Sequence, residues 1–158
     1  MYYRTISPDV ATPSRSAADL QSAFLALVRG FGLHRPDVTP CDQPVAISEA
    51  HALLELDSGL ALTQGELALR LRLQKSTVSR LVGQMELKGW VERERDERDH
   101  RARRLRLTAA GAEVGRTITA ARNDKFERLL EAVPGEQREA VIEAVRVLAR
   151  ASRQGVDG

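Results

Sequence analysis

Leu20, Phe24, Leu27, Val28 and Phe31 recur three and four residues apart, the spacing of one helical face. The helix they predict starts at Ser16, with Asp19 three residues on as a short capping box, and stops at Gly32. Residues 1–15, with Pro8 and Pro13, precede it as a loose arm. From His34 to Pro44, three prolines (Pro36, Pro40 and Pro44) enforce a loop. A second helix carries Ala50, Leu53 and Leu54, with Ser48 as its expected cap and Gly59 as its stop. Leu60-Ala61-Leu62 reads as one brief strand. Thr63 and Glu66 then form a capping box that opens a third helix, with Leu67, Ala68 and Leu71 facing inward. A turn at Arg72-Leu73-Gln74 leads to a fourth helix over residues 75–88, closed by Gly89.

The period then changes. Residues 90–93 (Trp-Val-Glu-Arg) and 104–107 (Arg-Leu-Arg-Leu) flank a polar, charged tip and read as the two arms of a hairpin. Thr108 caps a long helix through Val114, Ile118, Phe126, Leu129 and Leu130. Pro134 breaks it and can stand at the first position of a last helix, defined by Val141, Val145 and Leu148. The sequence contains no internal repeat and no low-complexity tract. The fold class is therefore mainly α with a small β-hairpin wing.

Two short helices joined by a tight turn, residues 63–88, have the arrangement of a DNA-reading helix-turn-helix. On a wheel at ~100° per residue, Val78, Leu81, Val82 and Met85 share one side of the fourth helix. The other side carries Ser76, Ser79, Arg80, Gly83 and Gln84, with Lys75 and Thr77 at its margins. That face is slim, polar and basic, as entry into a major groove requires. Gly83 costs roughly 1 kcal/mol inside a helix; it serves either close approach to DNA or nothing more than a tolerated surface position. Taken alone, the segment reads equally well as an ordinary amphipathic helix pair with a solvated face.

Composition adds placement rather than magnitude. Hydrophobic residues make up 42% of the 158 and aromatics only 4%, so the core is built of Leu, Val, Ile and Ala. The formal net charge is +2, yet all basic residues except Lys75, Lys88 and Lys125 are arginines, which can fork onto guanine or phosphate. Lys88, Arg93, Arg95, Arg98, Arg101, Arg103, Arg104 and Arg106 crowd into the hairpin, interleaved with Glu92, Glu94, Asp96, Glu97 and Asp99. A charge run is usually a solvated loop, and the acids oppose a simple phosphate patch. Its position directly after a recognition-like helix instead places arginines where a wing meets the minor groove. Asp99 and Arg101, two apart on the tip, suit a pair in which the acid orients the guanidinium. Trp90 anchors the base of the wing.

The stretch LTQGELA, KSTVSRLV, GWVER, DHR and LRLTAAG, in that order over about fifty residues, resembles the DNA-binding lobe of the MarR family. The Asp-x-Arg wing followed by Leu-Thr-x-x-Gly is its most discriminating part, and the flanking helices resemble the family's dimerisation elements. The resemblance implies a winged helix-turn-helix with N- and C-terminal dimerisation helices. Residues 1–158 form one domain, 16–32 and 109–152 the dimerisation helices and 45–108 the DNA-binding lobe. It implies a homodimer that represses from a palindromic double-stranded DNA operator and is released by a small aromatic or phenolic ligand between the lobes. Ser76, Thr77, Ser79 and Arg80 would enter the major groove, and Arg101, oriented by Asp99, the minor groove. With Lys75, Gln84, Arg98 and Arg103 these complete the expected DNA-binding set. Gln74, where a small polar cap is usual, and the three prolines of the first loop depart from the pattern.

Other chemistries are weaker. Cys41 is the single cysteine, so no disulfide forms within the chain. A redox-sensing role for it is an alternative, but its neighbours Pro40 and Asp42 include no base to activate the thiol. His34, His51 and His100 do not form a zinc pattern; His51 is placed near the ligand cavity or the dimer interface. No cofactor or metal is expected. No nucleophile triad, paired carboxylates or glycine-rich phosphate loop points to an enzyme. A winged helix that binds protein would carry exposed apolar residues on the fourth helix. With no signal peptide or membrane span in the pattern, the chain reads as cytoplasmic.

Overall fold

A computed structural model describes residues 14–59, 61–95 and 103–154. In chain order these form α1 (Arg15–Phe31), α2 (Ile47–Leu56), β1 (Leu62–Thr63), α3 (Gln64–Leu71), α4 (Lys75–Leu87), β2 (Val91–Arg95), β3 (Arg103–Leu107), α5 (Ala109–Glu131), a 3-10 turn (Gly135–Gln137) and α6 (Arg138–Gln154). The sheet is antiparallel in the order β1-β3-β2. Leu62 faces Leu105, Arg93 also faces Leu105 across the hairpin, and Arg95 faces Arg103 at its far described end.

Helix boundaries follow the backbone groups that need partners. The cap of α1 is Ser14, not Ser16: its extended backbone lets Oγ accept from the Ala17 N–H at 3.2 Å. Ser16 and Asp19 lie inside the helix, so the expected box does not form. Gly32 ends α1 at φ 85, a left-handed conformation that donates its N–H to Val28 and Arg29. α2 begins at Ile47, which places Ser48 within its first turn rather than at the cap. Ala46 occupies the cap and has no oxygen to offer; the Glu49 carboxylate reaches back to accept from its N–H at 3.4 Å. The brief strand is Leu62–Thr63 rather than 60–62, and Leu60 lies outside the described residues. Pro134 has extended ψ and precedes the 3-10 turn, so it is not the first residue of α6, which begins at Arg138.

The Thr63–Glu66 box forms as expected. Thr63 Oγ1 accepts from the Glu66 N–H at 3.2 Å, and Glu66 Oε2 accepts from the Thr63 N–H at 2.7 Å. Arg104 Nη1 donates to the Ala61 carbonyl at 2.5 Å and lies 3.8 Å from Glu66, tying β3 to the start of α3. Arg72 turns left-handed at φ 54 to end α3, and Gln74 starts α4 without a side-chain cap. The core lies where α2, α3, α4 and the sheet converge; Leu53, Leu67, Val78, Val82, Met85 and Leu105 are its largest fully enclosed side chains. Leu71 and Trp90 pack at its edge. Ile118 joins α5 to this core.

α1 and α6 differ from the rest. Neither contributes a buried residue among those described. Phe24 is 55% exposed and Val145 54%, with Leu20, Leu27, Ile142 and Leu148 similarly uncovered. Among the described residues, these two helices hold out apolar stripes that a single chain does not cover.

Candidate nucleic-acid interface

α4 sits with one side in the core and the other in solvent because its apolar positions recur at helical spacing. Val78, Leu81, Val82 and Met85 are buried. Lys75, Ser76, Ser79, Arg80 and Gln84 are exposed, with Thr77 and Gly83 at intermediate positions. No hydrogen bond or ion pair among the described residues engages the side chains of these six polar residues. A Cβ built on Gly83 meets nothing within 4 Å, so no internal packing requires that glycine. The outward stripe ends in Leu87, 91% exposed on the last turn. This apolar residue lies in line with Ser76, Arg80 and Gly83, and the sequence reading of an entirely polar face overlooked it.

The wing is sorted by its acids. Glu86 of α4 takes Arg93 at 2.9 Å, and Glu94 takes Arg106 at 2.9 Å. Arg95 and Arg103 face each other across the hairpin, both exposed and neither with an ion pair among the described residues. Like charges directly opposite are unfavourable unless an anion lies between or beyond them. Arg103 belongs to the expected DNA-binding set; Arg95 does not, because only the strand register reveals its position opposite Arg103. Arg98, Asp99 and Arg101 lie outside the described residues.

The base of the wing is fixed tightly. Thr108 Oγ1 donates to the Gly89 carbonyl at 2.6 Å and accepts from the Gly111 N–H at 3.0 Å. The Thr108 N–H donates to the Trp90 carbonyl at 3.0 Å. Gly111 is so close that a Cβ there would stand 2.0 Å from that same carbonyl oxygen. Lys88 lies 4.6 Å from the centre of the Trp90 ring and donates to both oxygens of Glu49 at 2.7 Å. Glu49 is 3% exposed, so the end of α4 is clamped to a buried carboxylate on α2.

A second feature lies behind this lobe. A cavity of about 430 Å³ opens between the end of α1, the following loop, α2 and α5. Phe31, Leu33, Ile47, Leu54, Ile118 and Phe126 supply its apolar walls. His51, expected near a cavity or an interface, lines it, as does Cys41, whose Sγ is 3.0 Å from Thr39 Oγ1. No described helix is long and apolar enough to cross a membrane.

A helix-turn-helix whose second helix exposes a polar, basic, unpartnered face, followed by a three-stranded sheet with an arginine-bearing hairpin, defines a DNA-binding protein of the winged-helix class. Residues 44–102 match the sequence model of the MarR family. An uncharacterized HTH-type transcriptional regulator of Mycobacterium leprae is 31% identical over 118 residues, which span 75% of this chain and 77% of that protein. A MarR family protein from Bacillus stearothermophilus superposes with a TM-score of 0.71 at 26% identity, over 90% of this chain and 99% of its own. FabT of Streptococcus pneumoniae, solved in complex with DNA, superposes with a TM-score of 0.69 at 22% identity, over 89% and 96%. The chain belongs to the MarR family of DNA-binding transcriptional regulators. The Mycobacterium leprae relative is a transcriptional regulator, the class of protein that the sequence led us to expect.

Proposed function

We propose that the protein is a cytoplasmic homodimeric repressor that binds a palindromic operator and is released when a small aromatic or phenolic ligand fills the cavity beside α2. The observation that carries the reading is the outward face of α4. Ser76, Ser79 and Arg80 on the first two turns and Gln84 on the third stand exposed without internal partners among the described residues, on a helix whose N-terminus also offers N–H groups to phosphate. On this reading Lys75, Ser76, Thr77, Ser79, Arg80 and Gln84 meet the major groove. Arg98, Asp99, Arg101 and Arg103 form the wing contact, with Arg95 added to them.

The exposed apolar stripes of α1 and α6 support a dimer, since contiguous uncovered apolar surface marks an association face. Residues 16–32 and 109–152 are assigned to it, and 45–108 to the DNA-binding lobe. A two-fold axis then sets two recognition helices about one helical turn, ~10 bp, apart. α2 supplies a route for release. Ile47, Ala50, His51 and Leu54 line the cavity, while Glu49, Ala52, Leu53 and Leu56 pack into the lobe that carries α4. A ligand that displaces α2 moves the Glu49–Lys88 clamp with it and shifts the population of DNA-competent dimers.

Selection of sites from random duplex DNA, with titration of the winner against Arg80→Ala at two salt concentrations, tests the reading. A palindrome of the stated spacing, bound at least tenfold more weakly by Arg80→Ala, is the expected result. Leu87 favours a second reading, in which this face of α4 docks a protein. Absence of any enriched sequence, with binding indifferent to Arg80→Ala, would bring that reading forward.

A further inference from the structure

The end of α4 is held to α2 by a bond that stability alone does not explain. Glu49 is 3% exposed, and its carboxylate accepts from Lys88 Nζ at 2.7 Å on both oxygens. Its other partner among the described residues is the Ala46 N–H at 3.4 Å. A buried ion pair regains little more than the cost of taking both charges out of water, and an apolar pair of similar volume is often as stable. What the ion pair adds is a fixed geometry. Apolar side chains can slide past one another, whereas one ammonium shared between two buried oxygens has a single place.

The position of the pair along α4 gives that geometry leverage. At the N-terminal end Gln74 makes no side-chain cap. Val78 and Val82, in the middle, are fully buried. Among the described residues, the ion pairs of the helix and its C-cap lie at the C-terminal end: Glu86 with Arg93 of β2 at 2.9 Å, and Lys88 with Glu49 of α2 at 2.7 Å. Ser76 stands about 9 Å along the helix from Val82. A tilt of about 5° around Val82 therefore moves Ser76 by roughly 0.8 Å. That shift takes a hydrogen bond to a base edge out of range, while flexible Lys and Arg side chains still follow a phosphate.

We propose that Glu49 and Lys88 are positioning residues for operator recognition: their ion pair sets the aim of α4, and with it the discrimination between operator and other DNA, without touching DNA. This rests on the reading of α4 as the helix that reads the operator and goes beyond it by giving the base contacts a support outside that helix. Discrimination depends on where Ser76, Ser79 and Arg80 meet base edges, whereas general affinity depends on neutralised phosphates. Loss of the pair therefore lowers the first and spares the second.

The test is titration of the intact protein, by fluorescence anisotropy at two salt concentrations, with two labelled duplexes: the palindrome enriched from random DNA and a scrambled duplex of the same length and composition. Glu49→Gln with Lys88→Met removes both charges and keeps nearly the same volume. It is expected to bind the palindrome about tenfold or more weakly, the loss of a base contact, and the scrambled duplex within about twofold and with the parental salt slope. Lys88→Arg keeps the cation and should hold the palindrome within about threefold of the parent. Glu49→Gln alone leaves Lys88, whose side chain is 44% exposed, free to turn to solvent, and decides the matter if the double variant does not fold. It should lose about threefold or more on the palindrome and nothing on the scrambled duplex. Parental discrimination in the folded double variant, or in Glu49→Gln, overturns the proposal and makes the pair an ordinary packing contact. Equal weakening on both duplexes, with a salt slope reduced by about 1, also overturns it and makes Lys88 a phosphate contact. If the parent prefers neither duplex, the operator reading of α4 fails and the proposal falls with it.

Discussion

Replacing Gly111 by Ala puts one methyl group where the base of the wing leaves no room. The added Cβ would stand 2.0 Å from the Trp90 carbonyl oxygen, 2.8 Å from its carbon and 3.0 Å from Cα, all backbone atoms that no rotamer change can move. Restoring an ordinary contact requires a shift of more than 1 Å, roughly, between α5 and the Gly89–Trp90 segment. That segment is held by the Thr108 N–H on the Trp90 carbonyl, by Thr108 Oγ1 on the Gly89 carbonyl and by the Trp90 N–H on Met85. Overpacking costs about 1–3 kcal/mol. Loss of one of these hydrogen bonds adds about 0.5–1.5 kcal/mol. The helix propensity of Ala returns at most about 1 kcal/mol. The net expectation is a destabilisation of roughly 2–3 kcal/mol, which in a chain of this length lowers Tm by about 4–12 °C. Gly83→Ala is the matched control. It adds the same methyl to a helix with nothing within 4 Å and should stabilise by about 0.5–1 kcal/mol. Urea unfolding at fixed protein concentration, followed by helical circular dichroism and by Trp90 fluorescence, measures both. A Gly111→Ala protein as stable as the parent, or a loss of similar size at Gly83, would refute the packing reasoning.

Three further outcomes are expected. Lys88→Met strands the buried Glu49 carboxylate and should cost about 2–4 kcal/mol in the same unfolding assay, whereas Glu49→Gln with Lys88→Met should recover most of that loss; equal losses would mean that the clamp is not what holds α2 to α4. Arg103→Thr removes the like-charge pair with Arg95 and should raise stability by a few tenths of a kcal/mol while weakening DNA binding across all sequences and reducing the salt slope by about 1; a fall in both, or no change in DNA binding, contradicts the wing assignment. The Glu66 carboxyl lies below its ordinary value of 4.5, chiefly because it accepts from the Thr63 N–H, then from the Thr63 hydroxyl, with Arg104 and Arg70 contributing. A depressed folded value means a stabilisation fully present above the unfolded pKa and lost as pH falls through the folded one. Glu66→Gln should therefore lower stability slightly at neutral pH and flatten the acid limb below pH 4.5, the two proteins converging as the carboxyl is protonated; an unchanged acid limb would dismiss the box as a contributor.

The elements whose identity depends on nearby residues were legible. The α3 box needs only Thr63 and Glu66 at the right separation, and α4 needs only its buried stripe of Val78, Leu81, Val82 and Met85. The caps of α1 and α2 were misplaced for a common reason: a serine near a helix start caps only if its own backbone is extended. Ser14, two residues before the expected start at Ser16, adopts that backbone, while Ser16 and Ser48 are already helical. At α2 the donor is satisfied by Glu49, whose primary partner is Lys88, thirty-nine residues away, so no local pattern announces it. The short β1 strand exists because Leu62 and Thr63 pair with Leu105 and Arg104, a register that the sequence of β1 does not contain.

The site divides in the same way. Which side of α4 faces outward follows from helical period, so Ser76, Ser79 and Arg80 could be chosen from the chain alone. Which arginines of the wing are available cannot be read from a run of alternating charges. Neighbours in sequence point to opposite faces of a strand, so an acid next to an arginine along the chain is not the acid that neutralises it. The pairing passes through the sheet and out of it, to Glu94 across the hairpin and to Glu86 on α4, and it leaves Arg95 and Arg103 opposed. The cavity follows the same logic at longer range. His51, Arg122 and Lys125 are unremarkable on their own helices, and a charge count along the chain merges Arg122 and Lys125 with the paired Arg116 and Arg128. Only the crossing of α2 with α5 separates the cations that have acids from Arg122 and Lys125, which line a largely apolar space and have no acidic partner among the described residues. The outer face of α4 carries information along one helix and so survives in the sequence, whereas the wing and the cavity are properties of pairs of elements and become visible only once those elements have been placed together.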